Sequence, residues 1–323
     1  MRNKISFISL FIAIILSSFL IIFINKDPIE AYFQIVKGAL WGYENIKGSL
    51  EKTSILLLTG LSFSFTLRGG MFNISSQGQL IIGGLLGTIS AIKIGSIFFI
   101  SPLLSLLVGG LGAALIGLII GYLKIAFNVN EAISSIMFNY IIFNLEASLL
   151  NTILKTSDGT GSSSIVPYVS HITSPILWIF ISLLFAYFYW YITEKTKLGQ
   201  DIKFLKIKNS NLILITVSIS AFVSGVAGSL RILSGVANFR YSYGIMSQFG
   251  FDGIVIALLG KTTLGIIITA FLFGALSEGA IKMSIFSGVP SEVITILKAL
   301  IILFASANWL IKEERIEKNV NNN

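Results

Sequence analysis

From Pro102 to Leu123 the chain carries no charged side chain, and Gly109, Ala113, Gly117 and Gly121 recur there at every fourth position. A helix needs ~20 apolar residues to cross hydrocarbon, where each backbone polar group must be satisfied within the segment. The small residues form one face that a second helix can approach closely. Ile5–Ile24, Ala132–Leu150, Pro175–Ile192, Leu212–Ile232, Gly265–Met283 and Val293–Ile311 read as further spans, and Ala221, Gly225 and Ser229 give one of them a similar small face. Only 12% of the 323 residues are charged, about half the ~25% usual for a soluble domain. The solvent for this fold is a bilayer.

Two apolar runs, Ile55–Leu67 and Phe251–Leu259, are too short to span and read as short or broken helices. Residues 25–54 balance four lysines against four acids and carry Ile29, Tyr32, Phe33, Ile35, Val36, Leu40, Trp41 and Tyr43, which suggests a helix lying at the outer interface. The expected fold is an all-α integral membrane protein of about ten transmembrane segments. Arg2 and Lys4 precede the first run and no small-residue cleavage site follows it, so it reads as an uncleaved span with its N-terminus inside. The 194–211 segment has five lysines against Glu194 and Asp201, which makes it cytoplasmic by the positive-inside rule. The 312–323 tail falls on the same side. Leu198, Ile202 and Leu205 give the basic segment the pattern of a short helix able to dock on a partner.

The polar stretch Arg68–Gly84 interrupts this apolar background with Asn73, Ser75, Ser76, Gln77 and Gln79. Such groups find no partners in lipid and must face protein or water. They suit the wall of a pathway for a polar, uncharged solute, since amides both donate and accept hydrogen bonds. A helix junction without solute contact is the alternative. Asn139 fits either role. Asp252, set between Gly250 and Gly253, joins Asn73, Gln77, Gln79 and Asn139 as a pathway candidate. Glu146 is expected at the interface and His171 in a solvated loop.

The absence of cysteine and the single histidine exclude Cys- or His-based metal sites. Gly260-Lys261-Thr262-Thr263 imitates a phosphate-binding loop, but Val255 stands where its first glycine belongs. With no nucleotide-binding or nucleophile–base pattern, the chain reads as a non-enzyme without a cofactor, driven by a separate ATPase. Its charge of +8 belongs to inner loops rather than to nucleic-acid binding.

GGMFNISSQGQLIIGGLLG resembles the G-x-F-N-I-G-x-E-G-Q segment of bacterial ABC-transporter permeases of the branched-chain amino acid/ribose permease superfamily. Its F-N-I core is similar to the nucleoside and simple-sugar branch. Asn130-Glu131-Ala132-Ile133-Ser134 with Met137-Phe138-Asn139-Tyr140, Thr196-Lys197-Leu198-Gly199, and Gly250-Phe251-Asp252-Gly253-Ile254 through Leu258-Leu259-Gly260 resemble three further motifs, in family order. The resemblance implies a fold like the larger helical ABC importer permeases, with residues 1–311 as the transmembrane domain. It implies import of a nucleoside or sugar-like solute across the bacterial cytoplasmic membrane. It also implies an ABC ATPase, a second permease subunit, identical or related, and an extracytoplasmic solute-binding lipoprotein. Thr196, Leu198, Gly199 and Lys203 would couple to the ATPase. Ser75 and Ser76 depart from the family's glycine and glutamate, and Lys203–Asn209 lacks the family's glycine, implying a weaker ATPase contact or one supplied by a companion permease. The reading of a different class is an ion-coupled secondary transporter, for which Glu146, Asp252 or Glu278 would be the embedded acid.

Overall fold

A computed structural model describes residues 14–94, 100–154, 162–204, 210–235, 238–246 and 248–300. Outside them lie the start of the Ile5–Ile24 run, Asp158–Gly161, Leu205, Lys206, Lys208, the end of the Val293–Ile311 run and the 312–323 tail.

Helix formation follows local signals. After α1 (Ile14–Phe23), Asp27 caps α2 (Pro28–Leu40) by accepting from Ile29 N at 2.8 Å, with Pro28 as the first helical residue. Gly42, at φ +98°, turns the chain into α3 (Tyr43–Arg68). Gly69 and Gly70 end α3, and α4 (Ser76–Ile94) begins within the polar stretch. After α5 (Ile100–Phe127), Asn130 caps α6 (Glu131–Thr152) through Ala132 N and Ile133 N. A single 3-10 turn, Tyr168–Ser170, precedes α7 (Pro175–Lys195), α8 (Lys197–Phe204) and α9 (Ser210–Leu233). The set closes with α10 (Phe249–Gly260), α11 (Thr263–Ser287) and α12 (residues 292–300). Among the described residues there is no strand, only one isolated bridge between Ser162 and Ser242.

Among the described residues, six helices are long and apolar enough to cross a membrane: α4, α5, α6, α7, α9 and α11. The protein is therefore a multi-pass membrane protein. One expectation needs correction. Ile55–Leu67 is not a short helix but the second half of α3, which runs unbroken for 26 residues, about 39 Å at 1.5 Å each. Glu44, Lys47, Glu51 and Lys52 depress the apolar signal of its first half, yet Glu51 and Lys52 are buried. The one helix expected over 25–54 is instead α2 and the first part of α3. By contrast, α10 is short, as the sequence suggests, with 12 residues.

The described chain falls into two units, one from the residues up to Ser49 with those from Phe273 on, the other from Leu50–Leu272. In the larger unit, α4, α5 and α9 meet along their glycines. A Cβ on Gly225 would come within 2.5 Å of Ala113 Cβ, and one on Gly117 within 2.7 Å of Ala221 Cβ. The two small faces legible in the sequence thus pack against each other, and Ser229 Oγ adds a 2.9 Å bond to Gly83 O. Leu80, Leu85, Ile142, Trp178, Leu230 and Tyr241 fill the surrounding core. In the smaller unit, Ala31 and Ile35 of α2 pack with Ala280 and Met283 of α11 and with Val293.

Two loops of the larger unit are stitched together. Ser163 N donates to Tyr241 O at 2.7 Å, Val166 N to Phe239 O at 2.9 Å, and Ile172 N to Leu233 O at 2.8 Å. His171 is only partly solvated in its loop. Its ring stacks on Phe239 with centroids 3.4 Å apart, and its Nε2 pairs with Val166 O at 2.8 Å. Burial pushes its pKa below the usual imidazole value, against the opposing effect of the Val166 carbonyl.

Candidate functional site

The polar stretch folds into a hydrogen-bonded knot. Asn73 Oδ1 accepts from Ser75 N at 3.1 Å, Ser75 Oγ at 2.6 Å and Ser135 Oγ of α6 at 2.8 Å. Gln79 Nε2 donates to Ser75 Oγ at 2.5 Å, so one hydroxyl joins both amides. Asn139 reaches across from α6: its Oδ1 accepts from Gly78 N at 2.8 Å and its Nδ2 donates to Ile74 O at 3.1 Å. This satisfies a backbone N–H that the start of a helix leaves without a partner. The Asn139 side chain is also why position 78 is glycine, since a Cβ there would lie 2.8 Å from Oδ1.

Gln77 points the other way. Its Nε2 donates to Met246 O at 2.7 Å and its Oε1 accepts from Gly250 N at 2.8 Å, gripping the first turn of α10. On the α3 side of that turn, Thr59 Oγ1 donates to Phe249 O at 3.2 Å. Asp252 is half-buried on the same turn, two residues beyond Gly250. Of the five pathway candidates, the structure thus brings Asn73, Gln77, Gln79 and Asn139 together around the start of α4, with Asp252 on the helix that Gln77 holds.

Asn73, Ser76, Gln77 and Gln79 are fully enclosed, yet Asn73 Nδ2, Ser76 Oγ and Gln79 Oε1 have no hydrogen-bond partner. An unmatched buried polar atom costs about 1–3 kcal/mol, and native structures hold few of them. Three within seven residues supply a donor, a hydroxyl and an acceptor. Each of these groups can pair with a hydroxyl.

Beside α10 lies a charged pair. Glu51 of α3, 1% exposed, bonds through Oε1 to Arg231 Nη1 of α9 at 2.5 Å, and the guanidinium sits 5.1 Å from the Phe249 ring. The pair uses one of its two possible bonds: Glu51 Oε2 and Arg231 Nε are both buried without partners. From sequence alone Glu51 reads as interfacial because its partner lies 180 residues away. The hub role of Ser75 has one local signal, the Asx-turn spacing of Asn73-Ile74-Ser75. Glu146 is 1% exposed and accepts from Tyr241 Oη at 2.8 Å, covered by the stitched loop.

The coupling candidates stand apart from this knot. Thr196 ends α7, its Oγ1 donating to Ile192 O at 2.7 Å and accepting from Gly199 N at 3.4 Å. A Cβ on Gly199 would meet the backbone oxygen of Thr193 at 2.5 Å, so glycine lets α8 fold back on the end of α7. Ile202 is buried and Leu198 exposed, consistent with an amphipathic α8; Lys203 lies in its last turn. Arg68 at the end of α3 pairs with Glu194 at 2.6 Å, tying the start of the polar stretch to this same end of α7.

Residues 45–306 match the family described as branched-chain amino acid transport system / permease component. The chain is similar to the guanosine ABC transporter permease protein NupP of Bacillus subtilis, with 33% identity over 82% of this chain and 81% of that protein. The nucleoside ABC transporter permease protein NupB of Lactococcus lactis is 27% identical over 97% of this chain and 94% of its own length. The glucose ABC transporter permease protein TsgB13 of Haloferax volcanii is 25% identical over 91% and 84%. No solved structure matches.

Proposed function

The chain belongs to the branched-chain amino acid transport system / permease component family, a non-catalytic transport component, and from that premise we propose that it is the permease subunit of an ATP-driven importer for nucleosides or related sugar-like solutes. The observation that carries the solute class is the enclosed trio Asn73 Nδ2, Ser76 Oγ and Gln79 Oε1, uncharged and unmatched. The relatives named for guanosine, nucleosides and glucose share one chemistry with that trio: each solute presents several sugar hydroxyls. Asn73, Gln77, Gln79, Asn139 and Asp252 line the route when the knot opens, and alternating access proceeds by release and re-formation of the Gln77 grip on α10.

The motor is a separate ABC ATPase, with a second permease subunit and an extracytoplasmic solute-binding lipoprotein completing the importer. Thr196, Leu198, Gly199 and Lys203 form the ATPase contact on α8, facing the cytoplasm with both chain termini. The finer fold, about ten segments of the larger helical importer type, accommodates α3 and α10 as additional membrane-embedded helices.

Purification of the chain with its co-expressed ATPase and binding lipoprotein, followed by reconstitution into proteoliposomes, tests this. ATP-dependent accumulation of guanosine or a hexose is the expected result. Accumulation that ignores ATP and follows an ion gradient would instead favour the carrier reading.

A further inference from the structure

Ile29, Phe33, Val36 and Leu40 recur along α2 at intervals of four, three and four, and each is more than half exposed. The opposite face, with Ala31, Ile35 and Gly38, is buried. In a membrane protein, a short helix packed on one side and apolar on the other lies in the interface with its bare stripe in lipid.

Beside the last turn of this helix opens a crevice of about 210 Å³, lined by Gln34, Lys37, Trp41, Asn45, Lys282 and Phe286. Gly38 lets α11 come close: a Cβ there would lie 2.6 Å from Lys282 Cγ, so the Lys282 stem crosses the bare α2 backbone. Among the described residues, no carboxylate lines the crevice. Glu30, a turn away, accepts from Gln34 Nε2 at 2.5 Å, and Glu44 is paired with Lys47 at 3.9 Å. Lys37 lies 5.8 Å from the Phe33 ring, and neither it nor Lys282 forms a salt bridge among the described residues.

Two lysines, a tryptophan and two amide residues around a small crevice, next to a stripe that needs hydrocarbon, match one ligand class. We propose that the crevice holds the phosphate of an anionic phospholipid, whose acyl chains lie over the exposed α2 stripe and over Ile285 and Phe286 of α11. A zwitterionic headgroup fits less well, because its own cation would meet two lysines and no acid.

The test uses the full chain, delipidated in mild detergent and titrated with phosphatidylglycerol, phosphatidylcholine or inorganic phosphate, with bound lipid counted by native mass spectrometry. Phosphatidylglycerol should bind at least tenfold more tightly than phosphatidylcholine. Each lysine lost should weaken it about fivefold, so K37Q/K282Q should weaken it about 25-fold while K47Q leaves it unchanged. Equal binding of the two lipids, equal loss in K47Q, or inorganic phosphate displacing the lipid at equal concentration would overturn the proposal. If the double variant does not fold, the ratio of the two lipids on the unaltered chain at low and high salt decides: a preference for phosphatidylglycerol that shrinks with salt supports it, and no preference refutes it.

Discussion

Consider the loss of one partner from the Glu51–Arg231 pair. At 2.5 Å and an effective dielectric constant of about 20, the gross attraction is about 7 kcal/mol. Desolvation of both ions consumes much of this, and the unmatched Glu51 Oε2 and Arg231 Nε show that the pair recovers less than a two-bond geometry would. Removing one member is a different matter, because the other ion stays buried and uncompensated, at about 3–5 kcal/mol. At about 2.1 cal/mol/K per residue, the 323-residue chain loses about 1.5 °C per kcal/mol, so Glu51→Met or Arg231→Met alone should lower the unfolding midpoint by about 5–7 °C. The double variant leaves no stranded charge and should lie within about 2 °C of the parent. Thermal unfolding of the four detergent-purified proteins, monitored by size-exclusion chromatography, measures the cycle. If the two single losses simply add in the double variant, the pair is not coupled and the argument fails.

Asn139→Ala strips Gly78 N and Ile74 O of their partners and should cost about 2–4 kcal/mol, seen as a lowered midpoint; Asn139→Asp keeps the acceptor for Gly78 N but buries a carboxylate against Ile74 O and should recover none of it. Gly199→Ala sets a methyl against the carbonyls of Ile192 and Thr193 and should abolish stimulation of the partner ATPase by solute while membrane insertion stays normal; full stimulation would refute the role given to α8. The stitched loops should respond to acid through His171. Its folded pKa is depressed by burial, so its stabilising contribution is complete above about pH 6.5 and is lost as pH falls through the folded value. Amide exchange at Val166 and Ile172, corrected for intrinsic rates, should therefore accelerate on acidification, and His171→Phe should remove that dependence.

Much of this architecture was legible because hydrocarbon imposes a simple code. The charge-free runs in α5, α7 and α9 announced themselves, and the fourfold spacing of Gly109, Ala113 and Gly117 announced a partner that proved to be the matching face around Ala221 and Gly225. The code failed where charge is neutralised at a distance. The first half of α3 reads as interfacial because nothing near Glu51 in sequence points to Arg231, and the burial of Glu146 is not legible because its cover, Tyr241, comes from a later loop. The amides of the polar stretch stood out by type, whereas the side each faces depends on the half-turn between Gln77 and Gln79. The hub role of Ser75 came from a short local turn outweighed in the reading by its longer neighbours.

Where Gly83, Gly109 and Gly225 bring backbone against backbone, there are no rotamers to exchange. Such a contact is either seated or broken, with no graded intermediate. The three-helix block of α4, α5 and α9 is thus fixed at the level of its backbone, and α10 is seated in the same manner, with Gly250 and Gly253 set against Gln77 and Thr59.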